Sequence, residues 1–178
     1  YQGGLFEQNM TVMLDASSSF LCVDLVRLGR TAAGEKLGSG IWKSSLEIFR
    51  EDSQGKHYEF NDRLEISGKA LKSIHGLEDQ PVFGSFTWVT PKGINQKALS
   101  DLLVKCRQQR VGLEGFMTCS LLKNGISARY RGSSTQSARF WFYRIWSLTR
   151  VLRKLNMPEY MRIWPMQEIP PTDIECSL

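Results

Sequence analysis

Ile41-Trp42-Lys43-Ser44-Ser45-Leu46-Glu47-Ile48-Phe49-Arg50 is the stretch that decides the class of fold. Trp42, Leu46 and Ile48 fall on even positions, and Lys43, Glu47 and Phe49 on odd ones. Side chains of a strand alternate between two faces, so this stretch reads as a strand. The polar loop Glu51-Asp52-Ser53-Gln54-Gly55 then leads into His57 to Ile66, a plausible partner strand. Upstream, Thr11 to Leu14 and Phe20 to Leu28 are rich in β-formers and are separated by Ser17-Ser18-Ser19. Downstream, Pro81 to Thr90 carries Val82, Phe86, Trp88 and Val89 and reads as another strand. Strands at short spacing with Gly-rich turns predict a mainly β body, a sandwich, barrel or stack of antiparallel or mixed sheets.

Two α-helices are expected in the C-terminal half, over 95–108 and 134–155. Asn95 is a suitable cap for the first, and Ala98, Leu99, Leu102, Leu103 and Cys106 recur at helical spacing along one face. Ser134 caps the second, whose stripe runs from Ala138 and Trp141 through Ile145 to Leu152 and Leu155. Between them, Phe116 to Leu122 and Ile126 to Arg131 flank Lys123-Asn124-Gly125. Asn-Gly between β-type runs predicts a hairpin with a type I′ turn. The residues after Pro158 read as an extended tail, 159–178.

The 178 residues fit a single domain, and 42% apolar with 23% charged residues excludes wholesale disorder. No run reaches the roughly 18–20 apolar residues of a membrane span. Among the four cysteines, Cys22, Cys106, Cys119 and Cys176, no two form a C-x-x-C pair. Cys106 on an apolar helical face and Cys22 in an apolar strand read as buried free thiols, which points to a reducing, cytoplasmic setting. The net charge is +5, and from Gly115 to Pro158 there are eight basic residues and no acidic one. Such a stretch suits an anionic partner surface, or is a solvated helix face.

Catalytic signals are sparse. The two histidines, His57 and His75, sit in no nucleophile motif, and closely spaced zinc-ligand pairs are lacking. Gly29-Arg30-Thr31-Ala32-Ala33-Gly34-Glu35 has the frame of a phosphate-binding loop, but Glu35 stands where a lysine must reach the phosphates. Read structurally, it is a tight turn needing two glycines. Asp24 lies inside an otherwise apolar strand, where a charge is costly unless paired or hydrated. An ion pair with Arg27 or Arg30 would relieve it; a polar path or transient cation site is the functional alternative. Arg129-Tyr130-Arg131 and Arg139 to Arg144 mix bases with aromatics, but Trp141, Phe142, Ile145 and Trp146 share the apolar face, so nucleic acid is not the expected partner.

Three segments together resemble the D-type (also H-type) urease accessory proteins. One runs from Phe6-Glu7-Gln8 through Asp24 and the Gly29-Arg30-x-Ala-x-Gly34-Glu35 turn to Trp42-x-Ser44-x-Leu46-Glu47-Ile48. The others are Arg129-Tyr130-Arg131-Gly132, opening a helix that holds Trp146, and Arg162-Ile163-Trp164. The G-R-x-A-x-G-E turn is the specific feature. The resemblance matches the later part of the family's length, which implies a fragment, from Tyr1, of a longer β-rich domain. It further implies a stack of β-sheets with two helices, and a non-catalytic chaperone for nickel insertion into urease. Such proteins act on the urease apoprotein together with an F-type accessory protein, and through it a G-type GTPase. No tightly bound cofactor is implied, only transient Ni²⁺. On this reading Asp24 and Glu35 line or gate a nickel path, while Arg131, Arg139, Arg162 and Trp164 contact partners or position the long helix. The alternative is a generic β-type protein- or RNA-binding module with a basic helix.

Overall fold

The computed structural model describes residues 3–35 and 38–158. The expected tail, with Arg162, Trp164 and Cys176, lies outside the described residues. In chain order the elements are strands Leu5–Leu14 (β1) and Phe20–Arg27 (β2), a 3₁₀ turn Thr31–Ala33, strands Ile41–Asp52 (β3) and Gly55–Ile66 (β4), and a short helix Gly68–Lys72 (α1). Strand Val82–Val89 (β5), helix Gln96–Gln108 (α2), strands Phe116–Leu122 (β6) and Gly125–Gly132 (β7) and helix Thr135–Leu152 (α3) follow.

The strands form two sheets. The first has the order β1-β3-β4, the second β2-β5-β7-β6. The opening stretch is the middle strand of the first sheet. It pairs antiparallel with β4, as expected, and in parallel with β1, Leu5 opposite Ile41 through Leu14 opposite Arg50. β1 and β2 are not a hairpin, because the connection between them crosses from one sheet to the other. Asp15 Oδ1 turns the chain there by accepting the N–H groups of Ser17 and Ser18, each at 2.8 Å.

Alternation on β5 shows how the layers stack. Val82, Phe86 and Trp88 face one way, into a core with Leu99, Leu102 and Cys106 of α2 and Ala138, Trp141, Phe142 and Ile145 of α3. Phe83 and Val89 face the other way, into two separate apolar clusters between the sheets. The helices therefore cover one face of the second sheet and the first sheet covers the other, which is why β5 is buried on both sides.

Arg50 follows the same parity as Trp42 and Ile48 and points inward, 1% exposed. Its Nε donates to Glu59 Oε1 at 2.5 Å, and its Nη atoms donate to the carbonyls of Asp15, Ala16, Ser18 and Thr90. Glu59 also accepts from Asn124 Nδ2 at 2.7 Å. One guanidinium thus joins the β1–β2 crossing, the end of β5 and, through Glu59, the β6–β7 turn. A buried charge is tolerated only when saturated in this manner.

Both long helices start where expected, with Asn95 accepting from Ala98 N at 2.8 Å and Ser134 from Ser137 N at 3.0 Å. Three features differ from expectation. First, α3 stops at Leu152 rather than Leu155, because Lys154 is left-handed at φ 55°. Leu155 N–H bonds the Arg150 carbonyl and Lys154 N–H that of Val151, the bonding pattern of a Schellman cap. That cap usually uses Gly or Asn, so a lysine gave no stop signal. Second, the hairpin turn is Lys123-Asn124, with Leu122 opposite Gly125. Gly125 belongs to the strand, paired with Leu122 and Val89, and is glycine because a Cβ there would lie 1.9 Å from the Trp88 carbonyl oxygen. Third, α1 is a single extra helical turn, too short to show a period, whose Leu71 packs against the Leu28–Trp42–Phe83 cluster.

Candidate functional site

Between the two inter-sheet apolar clusters the facing layers turn polar. Gln8 and Met10 of β1, Cys22 and Asp24 of β2, Asp62 of β4 and Ser85 of β5 line a cavity of about 30 Å³ there. That is room for a water molecule or a small ion. Leu28, Trp42, Ile66 and Phe83 close one end of the layer, and Leu14, Ile48 and Val89 the other.

Asp24 is half-buried in this seam. Loss of hydration raises its carboxyl above the usual range, and the Arg129 guanidinium opposes that rise. Pairing aligns the two residues across the sheet, with Asp24 opposite Ser85 and Ser85 opposite Arg129. Arg129 itself is ion-paired with Asp62. Burial and the charge of Asp24 together push the Cys22 thiol up. The seam therefore holds two carboxyl groups and a thiol around a small void, with one guanidinium paired to Asp62 beside them.

Asp24 is relieved by the nearby charge of Arg129 rather than by the ion pair expected with Arg27 or Arg30. Arg27 instead donates to Thr31 Oγ1 at 3.1 Å and to the Ser133 carbonyl at 3.0 Å. Arg30 forks onto Glu35, with Nε to Oε2 at 2.9 Å and Nη2 to Oε1 at 2.5 Å. The reason is local. The Arg30 carbonyl accepts the N–H groups of Ala33 and Glu35, which folds the segment back on itself and brings the two side chains together. Gly29 and Gly34 take the φ values +80° and +73° that such a reversal requires. The Arg30 guanidinium holds the Glu35 carboxyl below its usual range. Glu35 is not among the residues lining the cavity at Asp24.

Of the residues expected to meet partners, Arg131 donates to the carbonyls of Ile74 and Gly76 and to Glu78, and lies 4.8 Å over the Phe116 ring. It fastens the 74–78 loop to β7. Arg139 lies half-buried on α3. His57 contacts Asp52 at 3.0 Å on the outside of the β3–β4 hairpin, and His75 lies in the exposed turn after α1. Among the described residues no group of three or more His, Cys, Asp or Glu side chains is placed to hold a metal ion. No helix among them is long and apolar enough to cross a membrane.

Asp62 and Arg129 were missed as seam residues. Asp62 carried the same signal as Asp24: it shares strand parity with Phe60, Leu64 and Ile66, so the pattern turns it inward. Arg129 gave no such sign, because only the pairing of β7 with β5 brings it beside Asp24.

Fold and seam together define a mainly β protein whose polar chemistry is gathered between two sheets. A family model described as UreD urease accessory protein matches residues 1–165. The chain is 84% identical over its whole length to the urease accessory protein UreD of Prochlorococcus marinus (strain NATL2A), of which it covers 58%. It is 50% identical to the protein of that name from strain MIT 9313 over 94% of this chain and 53% of the relative. The protein of that name from Synechococcus sp. (strain CC9311) is also 50% identical, over 96% of this chain and 57% of the relative. The chain belongs to the UreD urease accessory protein family. It spans a little under three-fifths of the length of these curated relatives.

Proposed function

We propose that the chain is a working portion of a urease maturation chaperone that assists nickel incorporation into the urease metallocentre. The family match over residues 1–165 carries this reading. The protein would act in the cytoplasm, without catalysis of its own, on the urease apoprotein. It would work together with an F-type accessory protein and, through the complex, a G-type GTPase. Nickel would be cargo held transiently. The half-buried Asp24, raised in pKa beside a small polar void, supports a role in passing a cation, since it offers an oxygen ligand without fixing a full coordination shell. Glu35 enters this reading as a gating residue whose carboxylate is released only when Arg30 lets go.

The rival reading, an RNA-binding module, draws little from the structure. Trp141 and Phe142 are buried, and Arg129 and Arg131 are ion-paired within the chain. The test uses the full-length protein, co-expressed with urease and the other accessory proteins, reading urease activity and nickel content. Omitting the protein should leave urease inactive and poor in nickel; full activation without it overturns the chaperone reading. Asp24→Ala is expected to lower activation several-fold and Glu35→Ala more mildly. Normal activation by both variants would remove these residues from the nickel path while leaving the chaperone reading intact.

A further inference from the structure

We propose that Asn124 is a self-modification site: it loses its side-chain amide through a succinimide with Gly125 when the β6–β7 turn lifts, and the carboxylate so formed keeps the turn from settling back. The case begins with two demands that the fold makes on adjacent residues. Position 125 takes glycine, because a Cβ there would lie 1.9 Å from the Trp88 carbonyl oxygen. Position 124 takes a donor, because Asn124 Nδ2 donates to Glu59 Oε2 at 2.7 Å. The Glu59 side chain is 6% exposed and its other oxygen accepts from Arg50 Nε, so it suits a neutral donor and not a second anion. Together these demands write Asn-Gly, the dipeptide in which the backbone nitrogen after the asparagine is least shielded, since glycine has no side chain. The other asparagines, Asn9, Asn61, Asn95 and Asn156, do not precede glycine.

The docked turn withholds the reaction. Ring closure needs the Asn124 side chain to swing onto the Gly125 nitrogen, which must first give up its proton. The side chain is instead held on Glu59 of β4. The backbone is pinned as well: the Asn124 carbonyl accepts Thr90 N–H at 2.9 Å, and the Lys123 carbonyl accepts from Gln96 Nε2 at 2.6 Å. Gly125 is buried and pairs with Leu122 and Val89. The turn must therefore leave β4, the end of β5 and the start of α2 before it can cyclise. Such local opening needs less free energy than global unfolding.

The chemistry balances with water alone. Base removes the Gly125 N–H proton, the nitrogen attacks Asn124 Cγ, the bond from Cγ to Nδ2 breaks, and ammonia leaves. Water then opens the succinimide. Cleavage between Cγ and the ring nitrogen gives aspartate, and cleavage between the main-chain carbonyl carbon and that nitrogen gives isoaspartate. The net change is amide and water to acid and ammonia. Aspartate turns an acceptor toward Glu59 in place of a donor, and isoaspartate adds a methylene to the main chain within the turn. Either product removes the link that Glu59 makes between Arg50 and the β6–β7 turn.

The test holds the full-length protein in mildly alkaline buffer, with and without denaturing urea. It follows the peptide carrying Asn124 by mass, together with released ammonia and isoaspartate labelled by its methyltransferase. Conversion is expected at Asn124 in the unfolded chain, and at least about tenfold more slowly in the folded protein. Equal rates in the two states, or an intact Asn124 in both, overturn the proposal. Asn124→Asp should unfold at a lower urea concentration than Asn124→Ala, which removes the donor without adding charge. An Asn124→Asp variant as stable as Asn124→Ala overturns the part assigned to the carboxylate. The wild-type rates decide the gating even if either variant fails to fold.

Discussion

Arg50 and Asp24 both put charge inside a sheet sandwich, with opposite consequences. Arg50 is saturated by a carboxylate and four carbonyls. Truncating it to Leu leaves Glu59 buried without its cation, a loss of about 3–5 kcal/mol. Urea unfolding reads this directly, and Arg50→Leu combined with Glu59→Leu should lose less than Arg50→Leu alone. Equal or greater loss in the double variant would mean that the carbonyl contacts, not the ion pair, dominate. Asp24 is undersupplied. Its folded-state pKa lies above the unfolded one, so the folded protein binds its proton more readily. Stability then falls as pH rises through that window, and the penalty persists at neutral pH. Because the group is only half-buried, Asp24→Asn should stabilise by about 1 kcal/mol or less at pH 7, in view of solvent screening. The gain should vanish in acid, below the unfolded pKa of Asp. A gain independent of pH would point to packing rather than charge.

One edge of the second sheet is covered by basic side chains. On β6, carbonyls that point away from β7 are met by Arg107 and Arg110 from α2. A strand edge left open invites pairing with another chain, and charged side chains laid over it prevent this. Arg107→Ala with Arg110→Ala should therefore raise self-association, read as a larger sedimentation coefficient than that of the wild type at equal concentration; an unchanged coefficient would deny the arginines this role. Gly125→Ala should cost at least about 1–3 kcal/mol, because its methyl meets the Trp88 backbone rather than a movable side chain. Elements of this kind show how far the sequence could be read. The alternation of β3 was legible because one of its faces is wet. The caps of α2 and α3 were legible because capping is local. The turn at 123–124 was misplaced by one residue because Gly125 serves a contact from β5, distant in sequence. Similarly, Asp24 was legible as a misplaced charge, but its neighbours were not, since Arg129 reaches it only across the β2-β5-β7 register. The Arg30–Glu35 pair was visible as two unexplained charges, and the backbone reversal joined them.

At the scale of the whole molecule, two apolar clusters bracket a polar layer between the sheets, while the larger core lies between the second sheet and its helices. Division of labour follows. The helix-backed core carries stability, and the inter-sheet layer is free to hold charge. For a protein proposed to pass a cation, this separation lets the seam residues be altered without unfolding the body: Asp24→Ala should retain a wild-type far-UV spectrum even where urease activation drops. The parallel pairing of β1 has a temporal meaning as well. The β3–β4 hairpin closes on itself over a short loop, but Leu5 pairs with Ile41 across the whole of β2, which lies in the other sheet. Pairing at such separation is slow to form, and a strand with a single neighbour is early to open. In hydrogen–deuterium exchange the amides of β1 should therefore exchange before those of its partner β3, and those of β5 last, so that the strand joined to its sheet at long range leaves before the one joined by a hairpin.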